Sequence, residues 1–214
     1  MKNTIKIFLC LSLVFSLVLC VAACGKKDDE ETTAEETTNV DYDNDDSLYS
    51  DDTNGFDAVP GKMTLTDFMM RFATNVPSYT FSTDTLIRTS DEGAEKDEYA
   101  LMLYDQGVKF FVAKIIVDPQ TQFVTRLNLS GLTIGTTAGN VNKEKKSLFK
   151  QFVIGAIRAY TGKSSKQALD VYLAFDLNNA DNFLVADKVE KKIDGCNYSY
   201  SSAAYINSFT VEPA

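Results

Sequence analysis

The ionisable side chains of this chain limit the chemistry that it could perform. The sequence has 30 acidic and 21 basic residues but no histidine. It therefore lacks the commonest general base, the usual catalytic triads and the most frequent metal ligand. Acid–base chemistry would have to use carboxylates, such as Glu98 with Asp105 around one predicted strand, or Asp84 with Asp97 on neighbouring strands. Solvated surface acids are the favoured interpretation, so we predict no catalytic residue, no metal ligand and no cofactor.

Cys196 is a second candidate for chemistry, because a thiolate is a strong nucleophile. A reactive cysteine needs a neighbour that lowers its pKa, and histidine, the usual partner, is absent from the sequence. Cys196 also follows directly on the turn-forming pair Asp194-Gly195. These features favour a half-buried structural residue.

The loop 133–140 contains two glycines and precedes a predicted helix, which is the arrangement found in phosphate-binding loops. Its sequence, Thr-Ile-Gly-Thr-Thr-Ala-Gly-Asn, lacks the Gly-Lys-Ser/Thr ending of such loops. The strand before it belongs to a predicted antiparallel meander and not to a βαβ unit. A plain connector with two flexible residues is the favoured interpretation.

Four lysines lie at the start of the longest predicted helix, namely Lys143, Lys145, Lys146 and Lys150. Positive charge at this end opposes the helix dipole. Such a mismatch can indicate an anionic partner, such as a wall polymer or lipid headgroups, although a solvated helix face with Glu144 as partial compensation explains it too. Lys145 and Lys146 are accordingly candidate ligand-binding residues.

Aromatic residues recur in the last predicted strand, at Tyr198, Tyr200, Tyr205 and Phe209. On an exposed sheet face, such rings can stack on sugars or dock a peptide. Packing in the core and between neighbouring strands explains the same pattern. Tyr198 and Tyr200 are the candidate ligand-binding residues of this segment.

The N-terminus has the organisation of an export signal. Lys2 and Lys6 precede an uncharged stretch, residues 7–23, that is rich in Leu, Val and Phe. The stretch ends in Val21-Ala22-Ala23-Cys24, which resembles the lipobox of bacterial prolipoproteins. The resemblance implies cleavage after residue 23 and attachment of a diacylglyceryl group to the sulfur of Cys24. The alternative is an uncleaved membrane anchor, because about 18 uncharged residues is the lower limit for a membrane span.

The resemblance also implies a location and a partner. Two acyl chains on Cys24 would hold the protein on the outer face of the bacterial cytoplasmic membrane, within the cell envelope. With Cys24 acylated, Cys196 would have no partner for an intramolecular disulfide.

Residues 24–58 are predicted to form a disordered acidic tether. Residues 24–60 hold 13 acids against two bases and show no periodic apolar face. Calcium binding by the Asp-rich run 41–52 is disfavoured, since the spacing of an EF-hand loop is missing. Residues 61–214, by contrast, hold 17 acids and 17 bases. The low isoelectric point thus describes the tether, and a nucleic-acid partner is not expected.

Residues 59–214 are predicted to form one α+β domain, with helices packed on an antiparallel sheet of about six strands. Thr64 begins a short helix that stops before Pro77, and a Ser-x-x-Gln capping box at Ser164 begins another. Asp194-Gly195 is a strong hairpin signal. The predicted order is a helix, four strands (78–89, 97–104, 108–117, 122–132), two helices (143–160 and one from Ser164), and two strands (182–193, 196–211).

These observations favour a lipid-anchored, non-enzymatic module that binds a cell-wall ligand or another protein. A small carboxylate-dependent hydrolase of wall material and a structural or assembly factor of the envelope are the alternatives. An enzyme would need a concave site with convergent polar groups, whereas a binding module needs an exposed surface. The burial of Tyr198, Tyr200 and the region around Asp84 and Glu98 distinguishes these hypotheses.

Overall fold

The computed structural model describes residues 57–76, 86–105, 108–132, 134, 141–184, 187–203 and 206–214. The predicted signal peptide, the predicted lipid-attachment residue Cys24 and nearly all of the predicted tether lie outside the described residues. So do Asp84, Tyr205 and most of the glycine-containing loop 133–140.

The described residues form an α+β fold with four helices and one seven-stranded antiparallel sheet, which confirms the predicted fold class. The helices are α1 (Leu65–Asn75), α2 (Lys143–Thr161), α3 (Ser165–Leu173) and α4 (Ala180–Leu184). The strands are β1 (Leu86–Arg88), β2 (Asp97–Asp105), β3 (Val108–Val117), β4 (Val124–Leu132), β5 (Val189–Ile193), β6 (Cys196–Ala203) and β7 (Ile206–Pro213).

The sheet order is β1-β2-β3-β4-β7-β6-β5, so two meanders meet where β4 pairs with β7. In that pairing Leu127 lies opposite Val211 and Leu129 lies opposite Phe209. β7, the last strand in sequence, thus lies inside the sheet.

Local sequence signals explain the start of α1 and of α3, the end of α2 and the turn between β5 and β6. The Thr64 side chain accepts a hydrogen bond from the backbone of Asp67, and Ser164 forms the predicted capping box with Gln167. Gly162 ends α2 with the left-handed φ of 73° that glycine permits. At the β5–β6 turn, Asp194 and Gly195 both have positive φ values, as a two-residue hairpin of the expected type requires.

Two predicted strands differ from the observed ones. The prediction of one strand over residues 182–193 is wrong, because residues 182–184 complete α4 and, of the described residues that follow, Val189–Ile193 form β5. Residues 196–211 divide into β6 and β7, because Ala203 pairs with Ile206 in a tight hairpin that no Gly, Asn or Pro signals. Most of the first predicted strand, residues 78–85, lies outside the described residues, and its described end contains β1. The sheet therefore has seven strands and not about six.

The core lies between one face of the sheet and the helices. The Phe152 ring of α2 stacks on Phe111 of β3 at a centroid distance of 4.4 Å and lies 5.9 Å from Phe110. Two consecutive phenylalanines face the core because the β2–β3 register shifts here, with Leu103 opposite Phe111 and Tyr104 opposite Lys109. The Tyr160 hydroxyl of α2 donates a hydrogen bond to the Val124 carbonyl, 3.1 Å away. The described helices thereby cover one face of the sheet and leave the other open.

Candidate binding face of the sheet

The open face is formed by the residues that alternate with the core residues along each strand. In β6, Cys196, Tyr198 and Tyr200 are buried, whereas Asn197 is exposed and Ser199 is half-buried. β7 and β4 follow the same period of two. Because successive side chains of a strand point to opposite faces, the small polar residues of these strands share the open face.

The strand register brings these polar side chains into rows across the sheet. One row runs from Asn128 of β4 through Thr210 of β7 and Ser199 of β6 to Glu190 of β5. The next row contains Ser130, Ser208 and Ser201. Neighbouring strands are about 4.8 Å apart and successive rows about 7 Å apart, so the hydroxyl and amide groups form a compact polar field.

This field is the floor of an open concavity of about 690 Å³. Its outward-facing lining side chains come from the last four strands of the sheet order and from Lys188, just before β5. They are Arg126, Asn128, Lys188, Glu190, Lys192, Asn197, Ser199, Ser201, Ser208, Thr210 and Glu212. Lys191 and Tyr198 also border the concavity, although the register assigns their side chains to the covered face.

Hydrogen bonds connect part of the field internally. The hydroxyl oxygens of Ser130 and Ser208 lie 3.2 Å apart, and the Ser130 hydroxyl donates to the Asn128 side-chain oxygen at 3.3 Å. These bonds order the floor across β4 and β7. A ligand with hydroxyl groups could accept from and donate to the same side chains.

Ion pairs occupy most of the charged side chains around the concavity. Arg126 forms an ion pair with Glu212, and Lys188 forms one with Glu190. Lys192 is exposed at the end of β5, opposite Asn197 of β6. No hydrogen bond or ion pair joins the side chain of Lys192 to another residue of the described part of the chain.

The other half of the open face, on β1, β2 and β3, is mainly apolar but also carries the Glu98–Lys114 ion pair. Ile87 is 49% exposed and Tyr104 is 56% exposed, with Met102 and Val112 half-buried beside them. Ala100 is mostly buried there, opposite both Ile87 and Lys114. The open face is therefore divided into an apolar half and a polar half.

The structure places Tyr198 and Tyr200 on the covered face. They are only 1% and 2% exposed, so the core-packing interpretation of these two residues applies. The Tyr200 hydroxyl donates to the Phe183 carbonyl of α4, and the Asn207 side chain donates to the Tyr200 oxygen at 2.7 Å. Burial raises the pKa of both phenols above the ordinary value of 10.0. Neither ring is accessible from the concavity.

Lys145 and Lys146, the lysines predicted to bind a ligand, both contact other residues of the protein. The Lys146 ammonium donates to the Asn178 carbonyl at 3.0 Å and lies 5.4 Å from the centre of the Phe183 ring. The Lys145 ammonium lies 6.0 Å from the ring of Phe110. Only 3% of Lys146 is exposed, so its charge helps to attach the chain before α4 to α2.

Among the suggested carboxylates, Glu98 and Asp97 have basic partners. Glu98 pairs with Lys114 at 2.6 Å, and Asp97 pairs with Arg88 at 2.5 Å. Asp84 and the side chain of Asp105 lie outside the described residues. Among the residues that the structure does describe, no cluster of three or more His, Cys, Asp or Glu side chains could hold a metal ion.

Cys196 is a free, buried cysteine in this structure. Burial raises the pKa of its thiol, while the hydroxyl of Tyr198 and the charge of Lys163 act in the opposite direction. A raised pKa keeps the sulfur protonated, as expected of a structural residue.

Sequence reasoning missed the polar field. The signal was present, because Asn197, Ser199 and Ser201 alternate with Cys196, Tyr198 and Tyr200. The division of residues 196–211 into two strands has to be known before Ser208 and Thr210 can be placed beside them.

Comparisons with known proteins gave no match: no family model fits the chain, and no curated protein or solved structure was found to be similar to it. Within the described residues, none of the helices has the length and apolar character that a membrane span needs.

Proposed function

We propose that this protein is a lipid-anchored binding module of the bacterial cell envelope and that it binds a hydroxyl-rich ligand, such as a wall oligosaccharide, on the polar half of its open face. The observation that carries this proposal is the concavity of about 690 Å³, which the described helices leave uncovered. Ligand sites are concave and contain a few convergent polar groups. Side chains with paired donors and acceptors suit a ligand with many hydroxyl groups.

The lipid anchor is supported by the resemblance of Val21-Ala22-Ala23-Cys24 to a lipobox. Replacing Cys24 by Ala removes the sulfur that would carry the diacylglyceryl group. We expect the C24A chain to lose the radiolabelled fatty acid. This readout distinguishes a lipid anchor from retention by the uncleaved apolar stretch 7–23. Cys196→Ala, which removes the buried cysteine, is the matched control and should keep the label. Unchanged labelling of the Cys24→Ala chain would contradict the anchor.

The binding face is tested with a bulky side chain in the floor of the concavity. Thr210→Tyr places a ring among Asn128 and Ser199, at a position where a strand accepts tyrosine. Thr66→Tyr is the matched control, because Thr66 is exposed on α1 in the helical layer. The measurement is the thermal unfolding of the full chain in detergent, with and without oligosaccharides prepared from bacterial cell walls.

Ligand at about 100 times its Kd should stabilise the native protein by roughly 2.7 kcal/mol, which is several degrees in Tm for a domain of this size. We expect the native chain and Thr66→Tyr to show this shift and Thr210→Tyr to lose it. A shift of equal size in Thr210→Tyr would place the ligand elsewhere and contradict the proposal.

A second candidate function, docking of another exported protein, is favoured by the apolar half of the open face. Exposed apolar patches often mark such contacts, and Ile87 and Tyr104 are both about half exposed here. Ile87→Ser combined with Tyr104→Ser should then abolish cross-linking to an envelope protein in cells. The same double change should leave the oligosaccharide shift intact if the two halves have separate functions.

A further inference from the structure

We infer that the ligand of the concavity is an anionic glycan, a sugar polymer with carboxylate or phosphate groups, and that Lys192 binds its negative charge. The inference rests on the proposed function, because it names the class of ligand for the same face.

The charges around the concavity single out Lys192. Its outward-facing lining holds three cationic and two acidic side chains, which gives a formal net charge of +1. The ion pairs Arg126–Glu212 and Lys188–Glu190 occupy four of these five groups. Lys191 does not add to this set, because its ammonium lies 5.8 Å from the Phe175 ring in the helical layer. Within the described lining, Lys192 is the cation left for a ligand.

The register places Lys192 beside the polar field. Lys192 lies opposite Asn197, and Asn197 lies opposite Glu212, so these residues form a row across β5, β6 and β7. The adjacent row contains Ser199 and Thr210, about 7 Å away along the strands. A sugar bound over Ser199 and Thr210 could therefore extend an acidic substituent to the Lys192 ammonium.

The energetics of the face also favour a charged contact. Tyr198 is the one aromatic residue in the described lining, and it is buried, so no ring is available for stacking on a sugar. A hydrogen bond to a charged group contributes roughly twice as much net free energy as one between neutral groups. A charge-assisted bond to Lys192 would therefore be the strongest single contact that this face offers.

The test compares ligands that share length and linkage but differ in charge. Tetragalacturonate carries carboxylates, and maltotetraose is a neutral tetramer of glucose with the same α-1,4 linkage. Phosphorylated maltotetraose distinguishes phosphate from carboxylate as the source of the charge. Affinities are measured by calorimetry on the full chain in detergent at low salt, where exposed charges are weakly screened.

We expect at least one anionic probe to bind about tenfold or more tightly than maltotetraose, in keeping with the strength of a charge-assisted hydrogen bond. Lys192→Gln should remove about this factor, so that the preference for the anionic probe over maltotetraose is lost. Lys166→Gln, on the exposed surface of α3, is the matched control and should change neither affinity. Thr210→Tyr should weaken the binding of all the probes, because it blocks the floor.

The inference and the proposed function fail in different ways. If maltotetraose binds as tightly as both anionic probes and Thr210→Tyr abolishes all three, the face is a glycan site but the anionic ligand class is wrong. Anionic binding that Lys192→Gln does not weaken would overturn the role of Lys192. Absence of binding by all three probes, or binding that survives Thr210→Tyr, overturns the proposed face and this inference together.

Discussion

The two faces of the seven-stranded sheet use the same strands but bury very different side chains. The covered face of β6 and β7 presents Tyr198, Tyr200 and Phe209, all buried under the helices. The open face of the same strands presents Ser199 and Thr210, which remain partly exposed. Adjacent residues of the same strand therefore have different roles. The covered face stabilises the domain, whereas the open face contributes little to stability and is available for a ligand.

The largest difference between the faces should appear when an aromatic ring is truncated. Phe152→Ala removes a ring that is fully buried and stacked on Phe111, so we expect a loss of about 3–5 kcal/mol in the free energy of unfolding. Tyr104→Ala on the open face should change it by only about 0.5 kcal/mol, as is usual for surface residues. Urea unfolding of both variants measures the contrast. Similar losses would show that the open face is also part of the stabilising core.

An intermediate difference in stability is expected between alanine variants of two asparagines, Asn207 on the covered face and Asn128 on the open face. The Asn207 amide lies within hydrogen-bonding distance of the Phe183 carbonyl and the side-chain oxygens of Tyr200 and Ser202, at 2.7, 2.7 and 3.2 Å. Asn207→Ala leaves these buried groups with fewer partners and should cost about 1–3 kcal/mol of stability. Asn128→Ala on the open face should leave the free energy of unfolding nearly unchanged and weaken ligand binding. The reverse order of the two stability losses would contradict the comparison.

The smallest effect is a loss of stability at alkaline pH, which comes from the covered face alone. Burial raises the pKa of Cys196 above its ordinary value of 9.0 and those of Tyr160, Tyr198 and Tyr200 above 10.0. The folded state therefore prefers the neutral groups. Their stabilising effect is complete below these ordinary values and is lost as the pH rises through the raised ones. Between about pH 7.5 and about pH 9.5 we expect the free energy of unfolding to fall by roughly 1 kcal/mol.

Two tyrosine variants assign this alkaline loss to a face. The Tyr198 hydroxyl has no oxygen or nitrogen partner among the described residues and interacts with the Cys196 thiol. Tyr198→Phe removes this ionisable group together with an interaction that lowers the pKa of Cys196. The alkaline loss should become smaller in Tyr198→Phe, most clearly above about pH 10. Tyr104→Phe, on the open face, should retain the full loss. Equal pH profiles of the two variants would rule out a contribution from the buried Tyr198 phenol.

The sequence predicted the elements whose signals are local. The capping residues Thr64 and Ser164, the left-handed Gly162 and the Asp194-Gly195 turn all have the expected geometry, because each depends on a few neighbouring residues. The hairpin between β6 and β7 lacks such a signal, and the sequence alone therefore predicts one strand over residues 196–211. A short apolar run such as residues 182–184 does not by itself distinguish a strand from a helix. In the structure these residues end α4, and Phe183 is buried in the core.

The candidate site was harder to predict than the fold. The sequence identifies Tyr198 and Tyr200 as candidate ligand-binding residues because they are aromatic. Residue type, however, does not determine which face of the sheet a side chain occupies. The polar field depends on the pairing of β4 with β7, which joins residues about 80 positions apart in sequence, such as Asn128 and Thr210. Such long-range pairing is absent from any local pattern. Likewise, the position of Lys192 beside the field follows from the register of β5 on β6.

The interior position of β7 determines when the chain can acquire its fold. β4 has its second neighbour only when β7 has been synthesised, and the meander of β5 and β6 joins the rest of the sheet through β7 alone. The seven-stranded sheet therefore cannot be complete before β7 has been synthesised, and contacts of such long sequence separation form slowly. A chain that leaves the cell as an extended polypeptide, as the proposed export signal requires, would benefit from this delay. Translocation could be well advanced before the last strand closes the sheet on the far side of the membrane.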